Sequence, residues 1–214
     1  ARLVAKIYNQ QYSIYYKEIF APVVKMTSLR LILSIAAYER WEIHQMDVDT
    51  AFLNAPVQEE IYMDQPEGFE ETDSTGNKLV CRLCKSLYGT KQASHNWNET
   101  LNSCLEGLGF SQTKTDPCVY ICQPNDEIYA LMVYVDDIVL TGPRLEWIEN
   151  FKDIIKSKFK IKDLVQAQWI LGISVVYSKA DNTLKLHQAK YIADMLSRFG
   201  MESCNPAKSP MATG

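Results

Sequence analysis

The feature that most constrains the fold is a pair of apolar, β-prone segments that only two aspartates separate. The first segment covers residues 128–135, the second covers residues 138–141, and Asp136 and Asp137 lie between them. Two such runs joined by so short a polar link are typical of a β-hairpin. The sequence therefore predicts two adjacent antiparallel strands with both carboxylates at their turn.

Helical and strand periodicities elsewhere predict a mixed fold. Apolar residues recur at three- and four-residue spacing in residues 28–40, 91–108, 145–160 and 188–199. Alternating or continuous apolar runs predict strands at residues 41–49, 168–176 and 183–187. We expect Thr27 or Ser28 to cap the first helix. Because strands are mixed with segregated helices, the sequence predicts the α+β class.

Composition excludes several classes of protein. Hydrophobic residues make up 47% of the 214 residues and charged residues 22%, which is ordinary for a globular chain and unlike collagen, disordered or disulfide-scaffold sequences. There is no apolar run long enough to span a membrane and no cleavable signal pattern, so we expect no membrane partner. Although the net charge is −4, residues 151–162 carry five lysines against one aspartate. This run indicates either the wet face of a helix or a surface for a polyanion.

Six cysteines leave two interpretations open. Cys81 and Cys84 have the spacing of a zinc half-site, and Cys118 and Cys122 could supply two further ligands in an unusual arrangement. That would make the chain a zinc-organised nucleic-acid module. The alternative is that the cysteines are reduced thiols in the core, which is the usual place of free cysteine.

The paired aspartates also indicate a metal site. Adjacent carboxylates between buried strands cost repulsion and desolvation unless something offsets them. Mg²⁺ would do so, because it binds a few carboxylates together with substrate phosphates. A further acid is available at Asp47, which ends the strand predicted at residues 41–49. Ordinary turn chemistry, in which aspartate is common, is the alternative explanation of Asp136 and Asp137.

Eight segments strengthen the metal interpretation, because together they resemble one known family. In chain order they are Ala-Arg-Leu-Val-Ala-Lys (1–6), Phe-Ala-Pro-Val-Val-Lys-Met-Thr-Ser (20–28), His-Gln-Met-Asp-Val-Asp-Thr-Ala-Phe-Leu-Asn (44–54), Glu-Glu-Ile-Tyr-Met-Asp-Gln-Pro-Glu-Gly-Phe (59–69), Lys-Ser-Leu-Tyr-Gly-Thr-Lys-Gln-Ala (85–93), Tyr-Val-Asp-Asp (134–137), Leu-Gly-Ile (171–173) and Arg-Phe-Gly-Met (198–201). The sequence resembles the reverse transcriptase domain of copia-type long-terminal-repeat retrotransposons.

The resemblance implies a right-hand polymerase fold, in which an antiparallel palm sheet packs on helices. By this resemblance residues 1–40 and 55–95 form the fingers, residues 41–54 and 96–176 form the palm, and residues 177–214 begin a partial thumb. We expect an N-terminal finger strand, the ribonuclease H and the integrase of the Pol polyprotein to lie outside this sequence. We also expect polymerisation to take place in cytoplasmic particles.

The resemblance further implies RNA-directed DNA polymerisation. The substrates would be deoxynucleoside triphosphates and a primer on an RNA or DNA template. Two Mg²⁺ ions, which Mn²⁺ could replace, would be held chiefly by Asp47 and Asp136, with Asp137 as the third acid and the Val48 carbonyl facing a metal. Such ions activate the attacking hydroxyl and stabilise the leaving phosphate.

Carried over by motif, a second group of residues would bind the nucleotide and the primer. The predicted nucleotide-binding residues are Phe52, Tyr88, Gly89, Lys91, Arg2 and Lys6, and the predicted primer grip is Leu171 and Gly172. Phe52 would exclude a ribose 2′-hydroxyl, although a core phenylalanine at a turn is the alternative. Similarly, Leu171 and Gly172 could belong to a plain hairpin.

The sequence departs from the family pattern at four places. They are Ile7, Asp49, Ser94-His95 and Val165-Gln166, where the family commonly has Gly, Lys or Asn, Pro-Arg and Gly-Glu. None of these changes touches the three aspartates. Two classes of function therefore stay open: an active polymerase, and a catalytically silent polymerase-like domain that only binds nucleic acid.

Overall fold

The computed structural model describes residues 3–5, 10 and 18–206, which form four α-helices and eleven β-strands. The helices are α1 (Met26–Tyr38), α2 (Ala93–Gly107), α3 (Leu145–Lys158) and α4 (Ala189–Arg198). The strands are β1 (Glu42–Val48), β2 (Tyr62–Met63), β3 (Cys81–Arg82), β4 (Ser111–Gln112), β5 (Val119–Cys122), β6 (Tyr129–Tyr134), β7 (Asp137–Gly142), β8 (Ile161–Gln166), β9 (Trp169–Ile170), β10 (Ile173–Ser178) and β11 (Thr183–His187).

The chain divides into two compact units, Ala1–Gln166 and Ala167–Gly214. The boundaries expected for the fingers, palm and thumb stay predictions. Helices and antiparallel sheets are mixed throughout, which confirms the α+β class. Among the described residues no helix is both long and apolar enough to cross a membrane.

A six-stranded sheet with the order β4-β5-β6-β7-β1-β8 organises the first unit, and all of its neighbouring strands are antiparallel. Strands β6 and β7 form the predicted hairpin, with Tyr134 opposite Asp137. The turn is therefore Val135-Asp136, and Asp137 is the first residue of β7 instead of a turn residue. This register places one aspartate in the turn and the other in the ladder.

The main core lies on one face of this sheet. Met46 and Val48 of β1 belong to one buried cluster with Trp97 and Leu101 of α2 and with Phe151 of α3. Because successive side chains of a strand point to opposite faces, Asp47 lies on the face of β1 away from this cluster. The alternation predicted for β1 thus separates the core-forming residues from the acid.

The start of α1 differs from the sequence prediction. The helix begins at Met26 after Lys25, and no side chain of the N-terminal residues caps it, so the prediction of Thr27 or Ser28 as the N-cap is wrong. Instead the Lys25 backbone N–H donates to Oδ2 of Asp116 at 2.9 Å. Asp116 is a buried residue that also accepts from the Cys118 N–H. A distant carboxylate therefore accepts a backbone hydrogen bond at the start of α1, where the sequence predicted a local hydroxyl as the cap.

The second unit contains a three-stranded antiparallel sheet with the order β11-β10-β9, followed by α4. Leu171 and Gly172 form the two-residue turn between β9 and β10, and both have positive φ, 49° and 78°. Two positive φ values are what the tight turns that match strand twist require. The hairpin anticipated as an alternative for these residues is therefore present.

Substitution of Gly142 tests the packing of the hairpin. A Cβ at this position would overlap the ring of Tyr129, which is fully buried and stacks on Trp147. We expect Gly142→Ala to lower the free energy of unfolding by about 1–3 kcal/mol in urea denaturation, because the ring has no room to move.

Gly107→Ala is the matched control for this substitution. Gly107 is the last residue of α2, and a Cβ there meets no atom within 4 Å. The alanine should raise the free energy of unfolding by up to about 1 kcal/mol through helix propensity. Equal effects at the two glycines would contradict the packing assigned to Tyr129.

Candidate active site

The three predicted acids meet at one end of the central sheet. Asp47 of β1 lies directly opposite Asp137 of β7 in the antiparallel ladder, so the two side chains share one face. Asp136 is in the adjoining turn, and its backbone carbonyl accepts a hydrogen bond from the Val48 N–H at 2.9 Å. All three aspartates are partly exposed. The arrangement places three carboxylates where solvent and substrate can reach them.

The pKa of Asp137 reflects the burial and the negative charge of this cluster. Partial burial raises the pKa of this carboxyl, and the negative charges of Asp136 and Asp47 raise it further. A hydrogen bond from Gln45 Nε2 to Asp137 Oδ1, at 3.1 Å, acts in the opposite direction. The carboxylates are therefore close enough to repel one another, and a cation would relieve that repulsion.

Gln45 is a site residue that the sequence analysis missed. It is buried, with 4% of its surface exposed, and it lies on β1 two residues before Asp47. Two residues along a strand return to the same face. The period-two pattern that singled out Asp47 therefore also placed Gln45 beside it, and this signal could have been used.

The donor set fits a hard divalent cation. Carboxylate oxygens are the ligands that Mg²⁺ and Mn²⁺ prefer, and after burial the negative charges of Asp136 and Asp47 contribute to the raised pKa of Asp137. Over the described ranges, however, no three His, Cys, Asp or Glu side chains are grouped closely enough to hold an ion as they stand. Asp47 and Asp137 share a face at one end of the sheet, and Asp136 lies in the adjoining turn, without forming a closed cage.

Phe52 and Tyr88, both predicted to contact the nucleotide, lie against each other. Phe52 belongs to the 3-10 helix Ala51–Asn54, shortly after β1. Its ring centroid is 4.9 Å from that of Tyr88, with the planes tilted by 49°. Phe52 is only partly buried and packs on the core cluster, so its ring contributes to the core on one side and remains accessible on another.

Gly89 and Lys91 contact the N-terminal segment. Gly89 has φ of 91°, and a Cβ there would overlap the Ala5 carbonyl oxygen and lie 2.8 Å from Val4 Cγ1. Glycine is thus required here by the approach of Val4 and Ala5. The Lys91 ammonium donates to the Gln10 backbone carbonyl at 3.2 Å. The predicted triphosphate ligands Arg2 and Lys6 lie outside the described residues.

The lysine run of residues 151–162 is not simply the wet face of a helix. Lys152 is fully buried, and its ammonium contacts Glu149 at 2.9 Å and Asp163 at 3.1 Å. Its Nζ also lies 2.6 Å from His44 Nδ1. Lys156 pairs with the same Asp163 at 2.8 Å. Much of the run is therefore bound internally and is not available to a polyanion.

Lys160 explains one departure from the family pattern. Its ammonium contacts Asp49 Oδ2 at 2.6 Å, and its backbone carbonyl accepts from the Asp49 N–H at 2.8 Å. A side-chain hydrogen bond and the charge of Lys160 lower the pKa of Asp49. The negative charge of Asp49, beside the site, is thus paired with the positive charge of Lys160.

The cysteines do not assemble into a site within the part of the chain that the structure describes. Cys118 and Cys122 are buried, whereas Cys84 is exposed. Burial, with a smaller contribution from Asp116, raises the pKa of the Cys118 thiol to about 12, and a protonated thiol is a poor zinc ligand. Cys118 and Cys122 lie where the second interpretation expected core thiols, whereas Cys84 and Cys204 are exposed.

Comparison with known proteins places the chain in a family. The family model described as "Reverse transcriptase (RNA-dependent DNA polymerase)" matches residues 1–213. The chain belongs to this reverse transcriptase family. The resemblance to copia-type retrotransposons is thereby confirmed, since the similar proteins include Pol polyproteins of plant transposons.

The relatives are much longer than this chain. The reverse transcriptase domain is 44% identical over 214 residues to the "Retrovirus-related Pol polyprotein from transposon TNT 1-94" of Nicotiana tabacum, covering 99% of this chain and 16% of that protein. It is 39% identical to the RE1 polyprotein of Arabidopsis thaliana, covering 99% and 14%. It is 30% identical to the Ty1-BL Gag-Pol polyprotein of Saccharomyces cerevisiae, covering 98% and 11%. The chain therefore spans a small part of these polyproteins.

Removal of one negative charge should stabilise the reverse transcriptase domain when no cation is bound. The folded-state pKa of Asp137 is raised, so its ionisation lowers stability as pH rises through and above the usual aspartate range. We expect Asp137→Asn to raise the melting temperature in EDTA at pH 7 by about 1–3 °C, a modest effect because solvent screens a partly exposed group. The difference should vanish near pH 3.

Asp64→Asn is the control, because Asp64 is an exposed aspartate on another loop. Its melting temperature should match that of the unmodified protein at both pH values. Addition of Mn²⁺ should stabilise the unmodified protein and Asp64→Asn more than Asp137→Asn. A lower melting temperature for Asp137→Asn in EDTA would refute the repulsion assigned to the cluster.

Proposed function

We propose that this domain is an RNA-directed DNA polymerase that adds deoxynucleotides to a primer 3′-hydroxyl by metal-dependent nucleotidyl transfer. The observation that carries the proposal is the placement of Asp47 opposite Asp137, with Asp136 in the adjoining turn. Membership of the reverse transcriptase family supports the same activity. The substrates are deoxynucleoside triphosphates and a primer on an RNA or DNA template, and the remaining Pol polyprotein is the natural context.

The three acids are the groups that would hold two divalent ions, with Asp47 and Asp136 as the principal ligands. Asp137 and the Val48 carbonyl complete the donor set. Bound there, Mg²⁺ or Mn²⁺ supplies activation of the primer hydroxyl and neutralisation of the phosphates. The protein itself orients the carboxylates through the ladder and Gln45. Since phosphoryl transfer depends mostly on positioning and charge stabilisation, a group of carboxylates held at one end of the sheet is suited to it.

We assign the surrounding elements to the parts of a right-hand polymerase. In this proposal the six-stranded sheet with α2 and α3 is the palm, and the segments around Tyr88 and Lys91 belong to the fingers. The contact of Phe52 with Tyr88 supports a shared nucleotide-binding surface beside β1. Leu171 and Gly172 would grip the primer, and the part of the chain after residue 176 would begin the thumb.

Primer extension tests the activity directly. On a poly(rA) template with an oligo(dT) primer, dTTP and Mg²⁺ or Mn²⁺, we expect extension that Asp136→Ala lowers by at least about a hundredfold. Asp64→Asn should extend at the unmodified rate. Extension that Asp136→Ala retains would contradict the assignment of the acids. Bound template–primer without extension would support the catalytically silent alternative.

Phe52 provides a test of sugar selection. A bulky ring beneath the incoming sugar would clash with a ribose 2′-hydroxyl, which is the group that distinguishes RNA precursors from DNA precursors. We expect Phe52→Val to lower the preference for dTTP over UTP at least about tenfold, which corresponds to about 1.4 kcal/mol. The measurement is the ratio of kcat/KM for the two nucleotides.

Phe52→Tyr is the control for this test, because it keeps the ring and its contact with Tyr88. It should retain the preference for dTTP. If Phe52→Val incorporates UTP as poorly as the unmodified domain, Phe52 is a core residue and another group selects the sugar.

A further inference from the structure

The turn that carries Asp136 holds a valine in the left-handed backbone region. Val135 has φ of 56°, which is a genuine outlier for a β-branched residue. Residues with such conformations persist only where surrounding contacts over-determine them. Local preference therefore does not explain this turn, and its shape depends on groups elsewhere in the fold.

Two hydrogen bonds from separate elements hold consecutive carbonyls of the turn. The Trp97 indole N–H, on α2, donates to the Val135 carbonyl at 2.7 Å. The Val48 backbone N–H, at the end of β1, donates to the Asp136 carbonyl at 2.9 Å. These carbonyls belong to the two peptide groups that flank the Asp136 Cα. Because peptide groups are planar, fixing both of them fixes the direction of the Asp136 Cα–Cβ bond, from which the carboxylate extends.

Trp97 is itself firmly placed. Only 2% of its surface is exposed, and its ring packs edge-on against Phe159 with centroids 5.2 Å apart. Indole has one donor and no acceptor, so this contact with the turn is its only conventional hydrogen bond. Phenylalanine at position 97 would keep most of the packing and lose the donor.

We infer that Trp97 is a positioning residue that clamps the Val135-Asp136 turn and thereby aims the Asp136 carboxylate at the metal site. The expected effect on catalysis rests on the proposed polymerase function. The hydrogen bond by which Trp97 holds the turn does not. Trp97 would act entirely through Val135, since it lies on the core side of the sheet. A competing explanation is that the Val135 carbonyl merely accepts the hydrogen bond of a buried indole N–H, and that this bond does not affect the conformation of the turn.

Hydrogen exchange separates the two explanations without any need for activity. The Val48 amide reports on the turn because its acceptor is the Asp136 carbonyl. If Trp97 clamps the turn, Trp97→Phe should speed exchange at Val48 about three- to tenfold, the effect of one net hydrogen bond. Amides of the β5–β6 ladder should exchange at their usual rates.

Trp147→Phe is the matched control. Trp147 also packs on the main core, where its ring stacks on Tyr129 and Phe151. The same chemical change at this position should leave exchange at Val48 unaltered. Equal acceleration in both variants would mean that any loss of core aromatic packing loosens the sheet, and it would overturn the inference.

Relief of the backbone strain supplies a second, independent test. Asparagine tolerates the left-handed region far better than valine, so a turn with Val135→Asn needs the clamp less. We compare the factor by which Trp97→Phe speeds exchange of the Val48 amide in two backgrounds. In the Val135→Asn background this factor should be at least about threefold smaller than in the unmodified protein. An unchanged effect of Trp97→Phe in the two backgrounds would contradict a role in holding Val135.

Metal dependence connects the clamp with the proposed function. With Trp97→Phe, the half-saturating Mn²⁺ concentration for primer extension should rise about three- to tenfold, while KM for dTTP stays close to its unmodified value. If the unmodified domain extends no primer, the proposed function fails while the exchange experiments still decide the clamp. If extension occurs and Trp97→Phe leaves its Mn²⁺ dependence unchanged, the aiming of Asp136 is refuted.

A more conservative replacement keeps the inference testable if Trp97→Phe does not fold. The benzothiophene analogue of tryptophan retains the shape of the indole and replaces its N–H with sulfur. Incorporated at position 97, it should accelerate Val48 exchange in the same way. Normal exchange with this analogue would show that the hydrogen bond has no positioning role.

Discussion

Repulsion between carboxylates at one end of the central sheet is the constraint on which the rest of the site depends. The ladder sets Asp47 opposite Asp137, and the two-residue turn brings Asp136 beside them. If nothing offset their charges, these carboxylates would move apart or take up protons. The pKa of Asp137 is accordingly raised, by burial and by the charges of Asp136 and Asp47. The sheet prevents separation because both strands are anchored by buried residues, among them Met46 and Ile138. The cost of ionisation is then reduced by a neutral donor, Gln45, or by a bound cation.

On the opposite face of β1 the charged side chains are paired with one another inside the protein. There the buried Lys152 is surrounded by Glu149 and Asp163, with His44 close by. Burial, and then the charge of Lys152, lower the pKa of His44, so this side chain is a neutral neighbour of the ammonium. A buried ion pair contributes little net stability, but removal of one partner leaves an expensive charge. One face of the strand thus neutralises its ions within the protein, whereas the other presents carboxylates that a ligand can neutralise.

Much of the fold follows from local sequence patterns, because alternation and helical spacing are local properties. The hairpin of residues 128–141, the strand that carries Asp47 and the four helices are all found close to their expected positions. The features that were not predicted are contacts between distant segments. Asp116 supports the start of α1 from 91 residues away, and Lys152 contacts His44 of β1 from 108 residues away. Gln45 is the exception, since its place on β1 was visible in the pattern.

The same distinction applies to the candidate site. Motif and alternation suffice to identify Asp47, Asp136 and Asp137, but their geometry depends on Val135, whose local preference opposes the observed turn. Two non-local hydrogen bonds, from Trp97 and Val48, select that turn. A change that loosens α2 or the end of β1 would therefore disturb the acids before the sheet itself came apart, because these two hydrogen bonds hold a turn that local preference opposes. In a drifting copy of such a domain, geometry would then be lost earlier than the fold, even with all three aspartates intact.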